Sequence, residues 1–456
     1  MAFKDLRQFL NYLGESGNLI RVEKEVDPRY EIAAYIRKTS DQQGPALLFE
    51  RVKSSDMQVA GGIFANLRLA ALSLECKTDD LTTRIIQGVQ SPIPPRLVES
   101  GPCKEIKYQG EEVDLGKLPI PLYSEKDSAP YITLGVAISK DPETGARNMG
   151  LYRHELKGKN RLGVSSQQLA RQLAKAEAEG KGLPVAIALG VDPALIIAAT
   201  WKAPYGVDEI TIAGGLRGAP VELVKAETSD LEIPATAEIV IEGVLLPNIR
   251  EMEGPFGEYP GYYNPAILKP VIEVTAITHR RNPIYLAGLT GMPTTDNHIL
   301  KQVALEALYM WELKQKFPGV RAIHLPAAGA QALLAVVAMR PTSKFEARNV
   351  ISYLLGNRPG VKCVITVDDD INIRDIEKVI WAVMTRSQPA EDVIVLTNLI
   401  EIALDPSGPR GMIEGSGPDV NASGLGIDGT RPYGRPFPEV VSIPGIKDIP
   451  DFVKPS

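Results

Sequence analysis

Cysteine is nearly absent from this chain: Cys76, Cys103 and Cys363 are the only three in 456 residues, and none forms a CxxC pair. So sparse and odd a count excludes a disulfide scaffold and a cysteine-built zinc site, and fits a reducing compartment. Histidine is also scarce. His154, His279, His298 and His324 show no metal spacing of the HExxH kind. No long apolar run appears, so no membrane span is expected, and the first nineteen residues carry charges where a signal peptide needs an apolar core. These features lead us to expect a cytoplasmic protein. Charge of one sign is missing too: 50 Lys plus Arg stand against 56 Asp plus Glu, a formal net charge of −6. That balance offers no general attraction for nucleic acid or anionic lipid. GxxxxGK[ST], a strand-borne GxGxxG and GxSxG are all lacking, which disfavours a P-loop kinase, a Rossmann dehydrogenase and an α/β-hydrolase.

What is present is ordinary globular material, 44% hydrophobic and 23% charged, long enough for two or three domains. Its 36 prolines gather in turns such as PIPPR and EGPFGEYPGYYNP. Residues 1–104 read as a small α/β unit: Leu6, Phe9, Leu10 and Leu13 recur at helical spacing, and Ala46–Phe49 is an apolar strand. Residues 105–298 are strand-rich, with hairpin-like 131–153, strands at 184–190, 237–242 and 271–277, and one helix over 166–179. That pattern suggests a barrel or strongly curved sheet. Residues 299–456 alternate helix and strand and predict an α/β layer with a mainly parallel sheet. The glycine- and proline-rich tail from about 405 is expected to wrap over another surface.

Several segments could carry chemistry. Glu253 and Glu258 flank a Gly-Pro-Phe-Gly turn followed by three aromatics. A regular strand would point residues five apart to opposite faces, whereas a turn with two glycines can fold both inward. In an apolar pocket such a pair makes a general acid; the alternative is a surface turn with two solvated carboxylates. Asn148 and Arg153 are likewise five apart around Gly150, and an arginine there offers a fork for a carboxylate or is an ordinary strand-end arginine. Glu209 opens an apolar run before Gly214-Gly215, which permits a close ligand approach or is a plain glycine-rich loop. Ser165, Ser166, Gln167 and Gln168 mark a helix start that could receive a phosphate or be capped with no ligand. Asp368-Asp369-Asp370 ends an apolar strand and either binds a cation or caps the helix expected near Ile373. His298 is a substrate contact or makes a structural hydrogen bond. The stretches 291–298 and 325–326 are expected to help set specificity.

Taken together, NMGLYR (148–153), EITIAGGLRG (209–218), LVKAETSDLEIPATAEIVIEG (223–243), EGPFGEYPGYYN (253–264) and VITVDDD (364–370) resemble, in order and spacing, the UbiD-like decarboxylases that depend on prenylated FMN. The resemblance runs over nearly the whole chain. It implies an N-terminal α/β domain, a central split β-barrel of flavin-reductase type that holds the cofactor, and a C-terminal α/β domain that assembles a homodimer or hexamer. It also implies a reversible, non-oxidative carboxy-lyase acting on an aromatic or α,β-unsaturated acid, with CO₂ as product and a flavin prenyltransferase supplying the cofactor. Glu258 would donate the proton, with Glu253 and Arg153 setting its protonation and orienting the substrate carboxylate. Asn148, Met149, Gly150, Leu151, Tyr152, Arg153, Ser165, Ser166, Gln167, Gln168 and Glu209 match cofactor-contacting positions. Asn148 and Glu209 match ligands of a divalent ion, usually Mn²⁺, with K⁺ as a further candidate ion. Many members add a histidine ligand, but no histidine lies between 155 and 278 here, and Gln168 or Gln167 is the nearest replacement. Many also place a lysine near the segment 422–430, which has none in this chain. Other readings are a carboxylase subunit of a hetero-oligomer and a non-catalytic flavin-binding assembly protein. An intact Glu253, Glu258 and Arg153 argue against the latter, since binding alone needs no proton donor.

Overall fold

A computed structural model of the chain describes residues 3–203, 206–357, 360–400, 404–408, 421–445 and 449. Its N-terminal part follows from local pattern. Asp5 caps helix Leu6–Glu15 by accepting the Gln8 N–H (2.9 Å), and Leu6, Phe9, Leu10 and Leu13 form its buried stripe. Each such side chain contributes roughly 1.5–3 kcal/mol by leaving water. Strands Leu19–Val22, Ala46–Phe49 and Gln58–Gly61 then build a four-stranded sheet. Its fourth strand, Ile284–Ala287, arrives from far along the chain and pairs parallel to Gln58–Gly61. Arg7 seals this junction: its guanidinium reaches the fully buried Glu238 at 2.7 and 2.8 Å.

The centre is one nine-stranded sheet in which every pairing is antiparallel. Its longest members are Ile239–Glu253 and Ile267–His279. The sheet is open, with Tyr131–Ile132 at one end of the strand order and Arg147–Leu151 at the other. It must nevertheless curl back on itself. Leu151 ends the last strand in that order, while Arg153, two residues on, begins the second, Arg153–Leu156. The motif 148–153 therefore crosses from one end of the sheet to the other in a single step, and Tyr152 sits at the crossing.

Residues 207–218 are not a glycine-rich loop. They form helix Glu209–Arg217, capped by Asp208 through the Ile210 N–H (3.0 Å). A Cβ on Gly214 would lie 2.3 Å from the Ile93 carbonyl oxygen, and one on Gly215 would lie 2.1 Å from that of Gly88. The glycines serve the crossing of this helix with helix Leu81–Gln90 rather than the approach of a ligand.

The C-terminal part is led by helix Asp296–Lys316 and a five-stranded sheet. Two of its four pairings are parallel and two antiparallel, so the sheet is mixed rather than mainly parallel. The glycine-rich segment Asn421–Gly429 is a strand inserted between Cys363–Asp368 and Val393–Ile400. The part of the tail that is expected to wrap around another surface instead completes this sheet. No helix among the described residues is long and apolar enough to cross a membrane.

Candidate active site

The two glutamates and the arginine meet. Glu253 closes strand Ile239–Glu253, and after the turn Phe256–Gly257 pairs back on Tyr263–Asn264. Arg153 donates to both oxygens of Glu253, from Nε at 2.8 Å and Nη2 at 2.9 Å. Its Nη1 donates to Glu258 Oε1. Asn264, with its amide turned to satisfy both groups, accepts from Arg153 Nη2 (2.9 Å) and donates to the Phe256 carbonyl (2.8 Å). The Phe256 ring lies 5.1 Å under the guanidinium carbon. Both carboxylates are buried, so the reading of solvated surface glutamates does not apply. The cluster holds two acids and one base in a poorly hydrated place, where such pairing is strong and net charge is costly.

Asp127, which the sequence did not single out, pins the turn. Its Oδ1 accepts the Gly257 N–H and its Oδ2 the Ser124 N–H, each at 2.9 Å. Burial pushes its carboxyl up to about 6, against the lowering effect of those two bonds. No sequence pattern marks it, because its partners are backbone groups, one of them far away along the chain.

Beside this cluster opens a cavity of about 710 Å³, within the range of small-molecule sites. Asn148, Met149, Gly150, Leu151, Tyr152, Gln168 and Glu209 line it, together with Trp201, Lys202, Tyr259, Asn297 and Lys301. Strand Arg147–Leu151 pairs on one side only, with Val136–Lys140, and its residues border this space. Gly150 leaves room for the Tyr152 ring: a Cβ there would lie 2.4 Å from the Tyr152 hydroxyl, which would have to shift. Asn148 Nδ2 donates to that hydroxyl at 3.4 Å.

Glu209 opens its helix with its side chain turned to the strand, where Oε2 accepts the Met149 N–H (3.0 Å). Burial is the main influence and pushes its carboxyl up to about 7. Arg147 does not relieve it, being committed to Asp208 (2.6 Å) and Glu232 (2.8 Å). Among the described residues no three His, Cys, Asp or Glu gather as a metal cluster. An ion here would have to draw on the amide oxygens of Asn148 and Gln168 as well as Glu209.

Other positions stand apart. Arg153, Glu253 and Glu258 do not themselves line the cavity, whereas Tyr152 and Tyr259, their neighbours in sequence, do. Ser165, Ser166 and Gln167 do not line it either; Ser166 caps helix Gln167–Ala178 through the Leu169 N–H (3.1 Å). His298 makes structural bonds at both ring nitrogens. The Tyr259 carbonyl, 2.6 Å from Nε2, can only accept, so Nε2 carries the proton and Nδ1 accepts from the Thr295 hydroxyl (2.7 Å). Burial lowers this imidazole to about 4, consistent with the neutral form. Of the stretches 291–298 and 325–326, only Asn297 reaches the cavity wall.

The triple aspartate is neither a cation site nor a helix cap. Asp368 and Asp370 bind Arg386 at 2.6 to 2.9 Å, and Asp369 binds Arg340 at 3.0 Å. Asp375 caps the following helix, Ile376–Arg386, through the Lys378 N–H. The residue that sequence reasoning missed most clearly is Lys301. Its helix is buried from His298 to Met310 at every residue but this one, and a lysine in a largely apolar helix is the only trace it leaves in the sequence.

Comparison with known proteins places this geometry. Three family models match in chain order: the N-terminal domain of 3-octaprenyl-4-hydroxybenzoate carboxy-lyase over residues 10–89, its Rift-related domain over 96–293 and its C-terminal domain over 298–429. The UbiD-class enzyme HmfF from Pelotomaculum thermopropionicum, solved in complex with FMN, is 40% identical with a TM-score of 0.91, covering 98% of this chain and 99% of its own. An evolved dimeric form of that enzyme, solved with prFMN, is 38% identical with a TM-score of 0.88, covering 98% and 99%. Vanillic acid decarboxylase from Sedimentibacter hydroxybenzoicus, in its open form, is 30% identical with a TM-score of 0.88, covering 98% and 97%. Matched in order by all three domain models and aligned nearly end to end with these structures, the chain belongs to the UbiD family of carboxy-lyases.

Proposed function

We propose that this chain removes CO₂ from a small aromatic or α,β-unsaturated carboxylic acid with prenylated FMN in the 710 Å³ cavity, Glu258 protonating the carbon that loses its carboxylate. The observation that carries the reading is the Arg153 clamp, in which one guanidinium holds two buried carboxylates beside a ligand-sized cavity. The relatives solved with FMN and with prFMN support the choice of cofactor.

The wall suits the cofactor and its ion. Glu209 is a buried carboxylate with no cationic partner among the described residues, and Asn148 and Gln168 border the same cavity with amide oxygens. Hard oxygen donors of this kind suit Mn²⁺ or Mg²⁺. These three residues would hold the divalent ion and, through it, a phosphate, with K⁺ as a monovalent companion. When bound, the prenylated flavin supplies the electron sink for the charge left as CO₂ departs.

The protein's own groups do the rest. Arg153 fixes Glu258 through Oε1, which leaves Oε2, with only a long contact from the Tyr259 N–H (3.3 Å), to exchange the proton. Glu253 spends its charge on Arg153, so a proton on Glu258 makes the cluster neutral. Rotation of the Glu258 side chain past Tyr259, which forms the wall, would carry the acid from the clamp to the cavity. The same acid, deprotonated, would take a proton from the product carbon, so the site would run in either direction as CO₂ pressure dictates.

The test is co-expression with a flavin prenyltransferase, anaerobic purification, native mass and a UV–visible spectrum, followed by proton–deuterium exchange on a panel of phenols and heteroarenes. Bound prenylated FMN with deuterium entering one ring position is the expected result. Protein that takes up no flavin with Mn²⁺ present would refute the reading.

A further inference from the structure

The cavity holds a cation that this chemistry does not use. Lys301 is the one residue between His298 and Met310 that is only partly buried, and it lines the cavity. Its Nζ stands 3.1 Å from the centroid of the Tyr259 ring. It makes no hydrogen bond or ion pair with any described residue. The charged and titratable groups that face it are Glu258, Lys202, Tyr259 and, on its own helix, the neutral His298. An ammonium so placed is costly unless something anionic comes to meet it.

Arg153, the other candidate for a substrate carboxylate, is already engaged. Of its five N–H bonds, two go to Glu253, one to Glu258 and one to Asn264. With at least four of its five N–H bonds already engaged, Arg153 has no second fork left to offer a substrate carboxylate. Lys301 would give up only the face of a tyrosine ring, which a full negative charge in a partly dry cavity outcompetes.

We propose that Lys301 is the docking residue for the carboxylate of the incoming acid, and that it selects monoanionic aromatic acids over their neutral analogues. That the docked anion is the substrate rests on the decarboxylase reading above; that Lys301 prefers an anion does not. The residue binds and positions, and no bond forms or breaks at it. Burial, partly offset by Glu258, lowers the ammonium to about 7, so docking should weaken as the pH rises past neutrality.

The experiment is calorimetric titration of the flavin- and Mn²⁺-loaded protein with benzoate and with benzamide as the uncharged control. It compares the wild type with Lys301→Met, which keeps the length of the chain, and Lys301→Arg, which keeps the charge. The wild type should prefer benzoate at pH 6.5. Lys301→Met should lose about 10–100-fold in benzoate affinity with benzamide unchanged, the scale of one hydrogen bond to a charged group. Lys301→Arg should keep the preference and also lose the decline between pH 6 and 8.5, since arginine does not titrate there. Equal benzoate affinity in Lys301→Met and wild type, or a wild type that does not distinguish benzoate from benzamide, would overturn the proposal. The two readings fail separately. A protein that loads no flavin refutes the enzyme assignment, and the same titration on flavin-free protein still decides the role of Lys301.

Discussion

Arg153 and Arg386 are each gripped by two carboxylates, and the two clusters differ in how their charges balance. Around Arg386, three aspartates, 368 to 370, meet three arginines, 340, 386 and 431, at the C-terminal end of a strand. Around Arg153, two glutamates meet one arginine beside a cavity, and their side chains are only 1% and 9% exposed. The balanced knot has no charge left for chemistry and holds the sheet to helix Ile376–Arg386. The unbalanced one holds one carboxylate more than its arginine can neutralise. Similar residue types thus make a scaffold in one place and, in the function proposed above, a proton donor in the other, and the count of acids against bases tells them apart.

The sharpest way to break this contrast is to remove each arginine. Arg153→Met strands two buried carboxylates and should cost about 3–5 kcal/mol in denaturant unfolding near pH 7, with proton exchange abolished. Arg386→Met should cost less, about 1–3 kcal/mol, and leave cofactor binding and exchange unchanged. Equal losses in both assays would erase the distinction.

The pH dependence of stability should also run in opposite directions. Asp370 is held below its ordinary range, chiefly by its hydrogen bonds to Arg386, so it stabilises the fold above about pH 4, and that contribution is lost on acidification. Asp127, beside Glu258, is raised to about 6 by burial, so the folded state prefers its protonated form. Its contribution is present below about pH 4 and is lost as the pH rises through 6, at up to about 1.4 kcal/mol per pH unit. Unfolding measured from about pH 2 to 7 should lose the acid-side fall in Asp370→Asn and the decline between pH 4 and 6 in Asp127→Asn. Smallest of all, Asp369→Asn should change stability by about 0–1 kcal/mol, because its partner Arg340 is 73% exposed.

Much of this architecture is legible in the order of the residues. The alternation of helix and strand read over 299–456 holds in helix Asp296–Lys316 and strand Val320–His324, and a turn with two glycines does fold Glu253 and Glu258 inward. What escaped were effects of distant contacts. Gly214 and Gly215 disfavour a helix locally, at about 1 kcal/mol each, and are helical because another helix crosses there. Segment 421–429 looks like loop because its strand character comes from the two strands on either side. Asp127 carries no motif because it works through backbone N–H groups, and Lys301 looks like any helical lysine until its helix is seen to be enclosed.

The central claim is that the excess acid of the Arg153 cluster delivers the proton. The most direct measurement is deuterium incorporation into an arene product in D₂O, comparing the flavin-loaded wild type with Glu258→Gln, with native mass confirming equal cofactor content. The account predicts exchange in the wild type and a loss of about 10²–10⁴-fold in Glu258→Gln, the typical worth of a positioned general acid. A Glu258→Gln protein that holds the flavin and exchanges at the wild-type rate would contradict it.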